Sequence, residues 1–159
     1  MRTLRKDRLV QERMHDVYLV RGKWPEPTFC TECGAVFSRG RWSWEKLSSS
    51  LTAHQIICPA CRRIADRYPA GYIEIKGEFF TGHRDEILNL IERVEQQEKG
   101  RHPLERLMSL APEGDHLLVT TTGTHLARRI GQALARAYKG ELTFDYAPAD
   151  QHIRVYWQR

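Results

Sequence analysis

Cys30-Thr31-Glu32-Cys33-Gly34 and Cys58-Pro59-Ala60-Cys61 decide how this chain is organised. They hold all four cysteines, and 24 residues separate Cys33 from Cys58. A gap of two residues lets both thiolates of a pair turn onto one ion, and two such pairs supply the four ligands of a tetrahedral site. Gly34 follows the first pair, where a backbone bending toward a metal favours a residue without a side chain. Pro59 lies inside the second pair, where a fixed φ suits a turn. The expected ligands are therefore Cys30, Cys33, Cys58 and Cys61, and the expected cofactor is Zn2+.

Other chemistry uses the same spacing. Rubredoxin-like iron sites also rest on two paired-cysteine turns, although the second pair here runs into Arg62-Arg63 instead of a glycine turn. Disulfide or redox chemistry is a further option, and His54 lies close enough in sequence to Cys58 to replace a thiolate. Met1–Arg8 leads into no apolar run of secretory-leader length, so a reducing, cytoplasmic setting is expected, which favours metal over disulfides. With four thiolates bound, a zinc ion keeps no open position for water, so it would hold a fold together and the protein is expected not to be an enzyme.

Working outward, the 159 residues fit one ordinary domain, or a small metal module plus one compact domain. No stretch approaches the roughly 18–20 apolar residues of a membrane span. Net charge is +5, unevenly spread: residues 1–63 hold 12 Lys+Arg against 6 Asp+Glu, residues 64–159 hold 13 against 14. A basic end of this kind suits a polyanion such as RNA, or simply solubilises the chain.

The stretch Ser38-Arg39-Gly40-Arg41-Trp42-Ser43-Trp44 interleaves arginines and tryptophans between the cysteine pairs. Arg39, Arg41, Arg62 and Arg63 are candidate phosphate contacts, and Trp42 and Trp44 candidate stacking platforms for single-stranded nucleic acid. The tryptophans would equally serve to cover a small metal core.

Residues 1–27 read as a basic arm, with a short helix through Asp7–Tyr18, and residues 28–68 as the metal module. Residues 70–159 read as an α+β domain. Tyr72–Lys76 alternates as a strand, residues 83–98 are helical up to Gly100, and Pro103 starts a second helical piece with Leu104, Leu107, Met108 and Leu110. A strand over residues 117–121, a helix over 125–139, and a hairpin from Glu141–Tyr146 to His152–Trp157 complete the order β-α-(α)-β-α-β-β. One four-stranded sheet with helices on one face is the expected packing. On the last helix Arg128 and Arg129 belong to a basic stripe that could lie on RNA, and Gly123-Thr124 ahead of it is a weak candidate for an anion contact. No Gly-x-x-x-x-Gly-Lys run is present.

With Thr122-Gly123-Thr124-His125-Leu126-Ala127-Arg128-Arg129 added to the two cysteine pairs, the chain resembles the nonsense-mediated-decay-three (Nmd-three) type adaptors of the large ribosomal subunit, closest to their short bacterial relatives. Family members have a similar Ala- and Arg-rich helix followed by two strands. The larger adaptors carry more cysteine pairs and further domains. The resemblance therefore implies a zinc-dependent module acting at the ribosome or its RNA, without export activity. The alternatives are a protein-interaction adaptor docking a partner through the zinc module and, less favoured, an enzyme holding a nucleotide at Gly123-Thr124.

Overall fold

Short strands and tight turns build the cysteine-bearing part. In the computed structural model, which describes Tyr18 and residues 24–47, 53–147 and 151–159, strand β1 (Thr28–Cys30) pairs antiparallel with β2 (Val36–Ser38). The helix expected over Asp7–Tyr18 lies outside the described residues, Tyr18 apart. Gly34, at φ +80°, turns the chain between β1 and β2, a conformation glycine adopts without penalty. Strand β2 then folds back onto β3 (Arg41–Ser43) through the two-residue turn Arg39-Gly40, with φ values of 54° and 75°. Two positive φ angles are what a tight hairpin needs to follow the twist of its strands.

Strand β4 (His54–Ile56) runs parallel to β1, with Cys30 opposite Ile56. This pairing brings the second cysteine pair beside the first. Helix α1 (Pro59–Asp66) follows at once, with Cys58 as its N-cap and Pro59 in its first turn, where a missing N–H costs nothing. The sequence places a helical exit only after Cys61; the cap starts it earlier.

The second sheet is built on β5 (Gly71–Lys76), whose Ile73 and Ile75 are buried while Tyr72, Glu74 and Lys76 alternate outward. After the short α2 (Glu78–Gly82), helix α3 (Arg84–Arg101) buries Ile87, Ile91 and Val94. Strands β6 (Leu107–Glu113) and β7 (His116–Thr121), helix α4 (Thr124–Tyr138), and the hairpin β8 (Glu141–Ala147) with β9 (His152–Gln158) follow. The sheet order is β6-β7-β5-β9-β8, with β5 and β9 parallel and the other neighbours antiparallel. Helices α3 and α4 pack on the face that carries Ile73, Ile75, Val119, Ile153, Val155 and Trp157, forming one core. Contact is close: a Cβ on Gly71 would lie 2.3 Å from Thr121 Oγ1 and 2.6 Å from Ala127 Cβ.

The α+β class and the cysteine module stand, but the sheet count is corrected. Two sheets are present among the described residues, one of four strands and one of five. The helical piece expected from Pro103 is a turn followed by β6. Its register shifts between Leu107 and Ser109, so an extra residue enters the strand. That bulge leaves Leu107 and Leu110, three apart, both against the core, which imitates helical spacing and hides the alternation of a strand. Among the described residues no helix is long and apolar enough to cross a membrane.

Candidate metal centre

The four cysteine sulfurs lie within 4.8 Å of one another. Cys30 Sγ is 3.8 Å from Cys61 Sγ, and Cys33 Sγ is 3.8 Å from Cys58 Sγ. Four ligands about 2.3 Å from a common centre at tetrahedral angles are about 3.8 Å apart, so the set fits a tetrahedral ion. Each pair thus meets the other across the cluster, as one shared ion requires. All four are free thiols. His54, weighed as a substitute ligand, stays exposed on β4.

Backbone geometry prepares the sulfurs for negative charge. The Cys58 N–H donates to Cys30 Sγ at 3.2 Å, and the Cys61 N–H donates to Cys58 Sγ at 3.4 Å. Burial raises the Cys30 thiol, but the N–H groups of Cys58, Cys33 and Glu32 and the Cys33 side chain outweigh it and lower it to about 7. Burial dominates at Cys58 and Cys61 and holds both thiols up, the latter against the pull of Arg106. A cation would complete the deprotonation of this set, because its field favours every thiolate at once.

Arg106 is the residue that spacing did not reveal. It lies just before β6, is 8% exposed, and reaches across from the five-stranded unit. Its Nη2 donates to Cys58 Sγ at 3.1 Å, to Cys61 Sγ at 3.4 Å and to Cys33 Sγ at 3.5 Å, while Nε donates to the Pro103 carbonyl at 2.9 Å. The Arg106 N–H donates to Thr122 Oγ1, and its carbonyl accepts from the Thr122 N–H, both at 2.9 Å. Burial works against the Arg106 charge, but the hydrogen bond to Cys61 and the neighbouring thiolates outweigh it. A divalent ion with four thiolates carries two net negative charges, and one buried guanidinium offsets half of that. In the sequence Arg106 is one charge beside Glu105 within Leu104–Leu107, which gives no signal of this role.

Trp42 and Leu104 pack against the cysteines, and Trp42 also meets Phe37 and Trp24 at 5.6 and 6.3 Å between ring centroids. Trp44 donates its indole N–H to the Lys99 carbonyl of α3 at 2.6 Å, a second tie between the cysteine module and the five-stranded unit.

The candidate nucleic-acid residues divide. Arg39, Arg41, Arg62 and Arg128 are exposed, and Arg128 lies 6.0 Å from the Phe144 ring centre. Arg63 is buried, its guanidinium 4.3 Å from the Tyr18 ring centre and donating to the Tyr68 carbonyl at 3.2 Å. Arg129 is half-buried and pairs with Glu98, its Nε 3.1 Å from Glu98 Oε1, while His125 holds the other carboxylate oxygen at 2.9 Å. Burial raises Glu98, but His125 and Arg129 prevail and keep its carboxyl below the usual glutamate value. Ahead of α4, Gly123 is the N-cap. The Leu126 N–H there donates to Glu105 Oε2 at 3.0 Å. The chain's own carboxylate thus takes the place an anion would occupy at that helix start.

Fold and site together define a four-cysteine module clamped by an arginine onto a five-stranded α+β unit. No protein-family model, curated protein or solved structure matches the chain.

Proposed function

We propose that the protein is a non-catalytic, zinc-structured RNA-binding protein that works at the ribosome or on its RNA. Zinc is the ion the site suits best. The first cysteine pair ends in a glycine turn, whereas the second caps a helix and runs into Arg62-Arg63, unlike the paired glycine turns of a rubredoxin-type iron site. Four thiolates with Arg106 packed on three of them make a site that stabilises a fold.

The observation that carries the RNA reading is the β2–β3 turn. It places Arg39 in the left-handed region at the hairpin tip, where asparagine or glycine would be easier, and leaves Arg39 and Arg41 exposed. Exposed arginines held on a metal-braced hairpin suit phosphate contact. The test is binding of single-stranded RNA by zinc-loaded protein across a salt series, with gradient co-sedimentation of lysate before and after nuclease. The expected result is affinity that falls steeply with salt, by about 0.7 of a log unit per log unit of salt for each phosphate contact. Affinity flat in salt, with no ribosome or RNA association, would overturn it. A protein-docking reading draws on the edge strand β8, whose Phe144 and Tyr146 are exposed at 43% and 47%; a partner retained after nuclease treatment would favour it.

A further inference from the structure

Between the metal module and the five-stranded unit lies a groove of about 460 Å³, within the roughly 300–1,000 Å³ of ligand pockets. Its apolar part is Trp42, Pro103 and Leu104, and the exposed residues around it include Arg41 on β3 and Arg101 at the end of α3. Neither arginine makes an ion pair among the described residues. Both charges are therefore available to a ligand.

We propose that this groove takes one unpaired nucleotide of a single-stranded RNA, with its base against Trp42 and its phosphate on Arg41 and Arg101; the proposal rests on the RNA reading above. An aromatic and apolar floor beside two uncommitted cations matches a ligand with a flat ring at one end and an anion at the other. The other titratable groups lining the groove are His102, His125 and Glu105, and the last two have partners. His125 is held by Glu98, and Glu105 receives the Leu126 N–H. Arg41 and Arg101 draw the phosphate to their end of the groove, which orients the nucleotide. Trp42 and Leu104 pack on the cysteines as well as lining the groove, so the subsite requires the assembled metal centre.

The experiment titrates a short fluorescent oligoadenylate RNA into zinc-loaded full-length protein at several salt concentrations, with 5′-AMP as competitor. Four proteins are compared: wild type, Arg39→Asn, Arg101→Gln and Trp42→Leu, each with its zinc content measured. Arg101→Gln, at an exposed position, is expected to fold and to reduce the salt slope by about 0.7. Trp42→Leu keeps an apolar cover over the cysteines and is expected to weaken binding about tenfold or more through lost stacking. RNA binding that is weakened by Arg39→Asn but untouched by Arg101→Gln overturns the groove and leaves the RNA reading standing. No RNA binding by zinc-loaded wild type overturns both. Competition by 5′-AMP as strong as that of the oligonucleotide overturns the single-strand assignment in favour of a free mononucleotide.

Discussion

Arg106 shows how a single residue closes over the four-cysteine cluster. Its guanidinium is buried against three of the cysteine sulfurs, so with a divalent ion bound, removing its charge would leave a doubly negative site without its buried counter-ion. Arg106→Met is expected to lower zinc affinity about 10–100-fold, the usual effect of losing a group that supports metal ligands. Competition with a chromophoric chelator measures it, and unchanged affinity would contradict the assigned role. Arg106→Lys keeps the charge but loses the planar fork, and should fall between the two. Glu98 makes a pH-dependent contribution at the same scale. Its carboxyl is held below the ordinary value of 4.5. The stability it adds is therefore complete above that pH and is lost as pH falls through the lowered folded value. Denaturant melts of wild type and Glu98→Gln should differ at neutral pH and converge in acid; a gap that persists in acid would contradict the pairing with His125 and Arg129.

At the scale of elements, tight turns and close packing make distinct predictions. Arg39→Asn replaces a residue strained at φ 54° by one that tolerates the left-handed region. It should raise stability by up to about 1 kcal/mol while weakening RNA binding. Lower stability would show that the arginine has a structural job at the tip. Gly71→Ala puts a methyl 2.3 Å from Thr121 Oγ1 and 2.6 Å from Ala127 Cβ. It should cost about 1–3 kcal/mol in chemical denaturation by forcing α4 off β5. Much of this level was legible in the sequence. The alternation in Tyr72–Lys76, the apolar spacing of α3 and α4, and the terminal hairpin all report local geometry, and the local pattern is written in consecutive residues. β6 was not legible, because its bulge shifts the very alternation by which a strand is recognised. The four-cysteine cluster was legible for the same local reason, since two short pairs carry it. The burial of Arg106 and Arg63 was not: Arg106 meets Cys61 across 45 residues, Arg63 lies over the distant Tyr18 ring as well as bonding the nearby Tyr68 carbonyl, and spacing says nothing about the distant contacts.

For the whole molecule, the four-cysteine cluster sits at the joint between two layers of structure. Arg106, Leu104 and the Trp44–Lys99 hydrogen bond tie the module to the five-stranded unit. The unit has its own core built from Ile73, Ile91, Leu126, Val155 and Trp157, whereas the module has a small one around the cysteines. Stripping the metal should therefore melt the module first and leave the helices α3 and α4 folded. A strong chelator is expected to expose Trp42 and Trp44 to fluorescence quenchers, with most far-ultraviolet helical signal retained. A single concerted loss of all structure would show instead that the two parts fold as one unit.

The central claim is that Cys30, Cys33, Cys58 and Cys61 hold one zinc ion that braces the fold. Elemental analysis of the purified full-length protein, under reducing conditions and after desalting, tests it most directly. The expected result is about one zinc per chain, lost when Cys33 and Cys61 are both replaced by serine. Folded wild-type protein that carries no metal, or carries iron in zinc's place, would contradict the account.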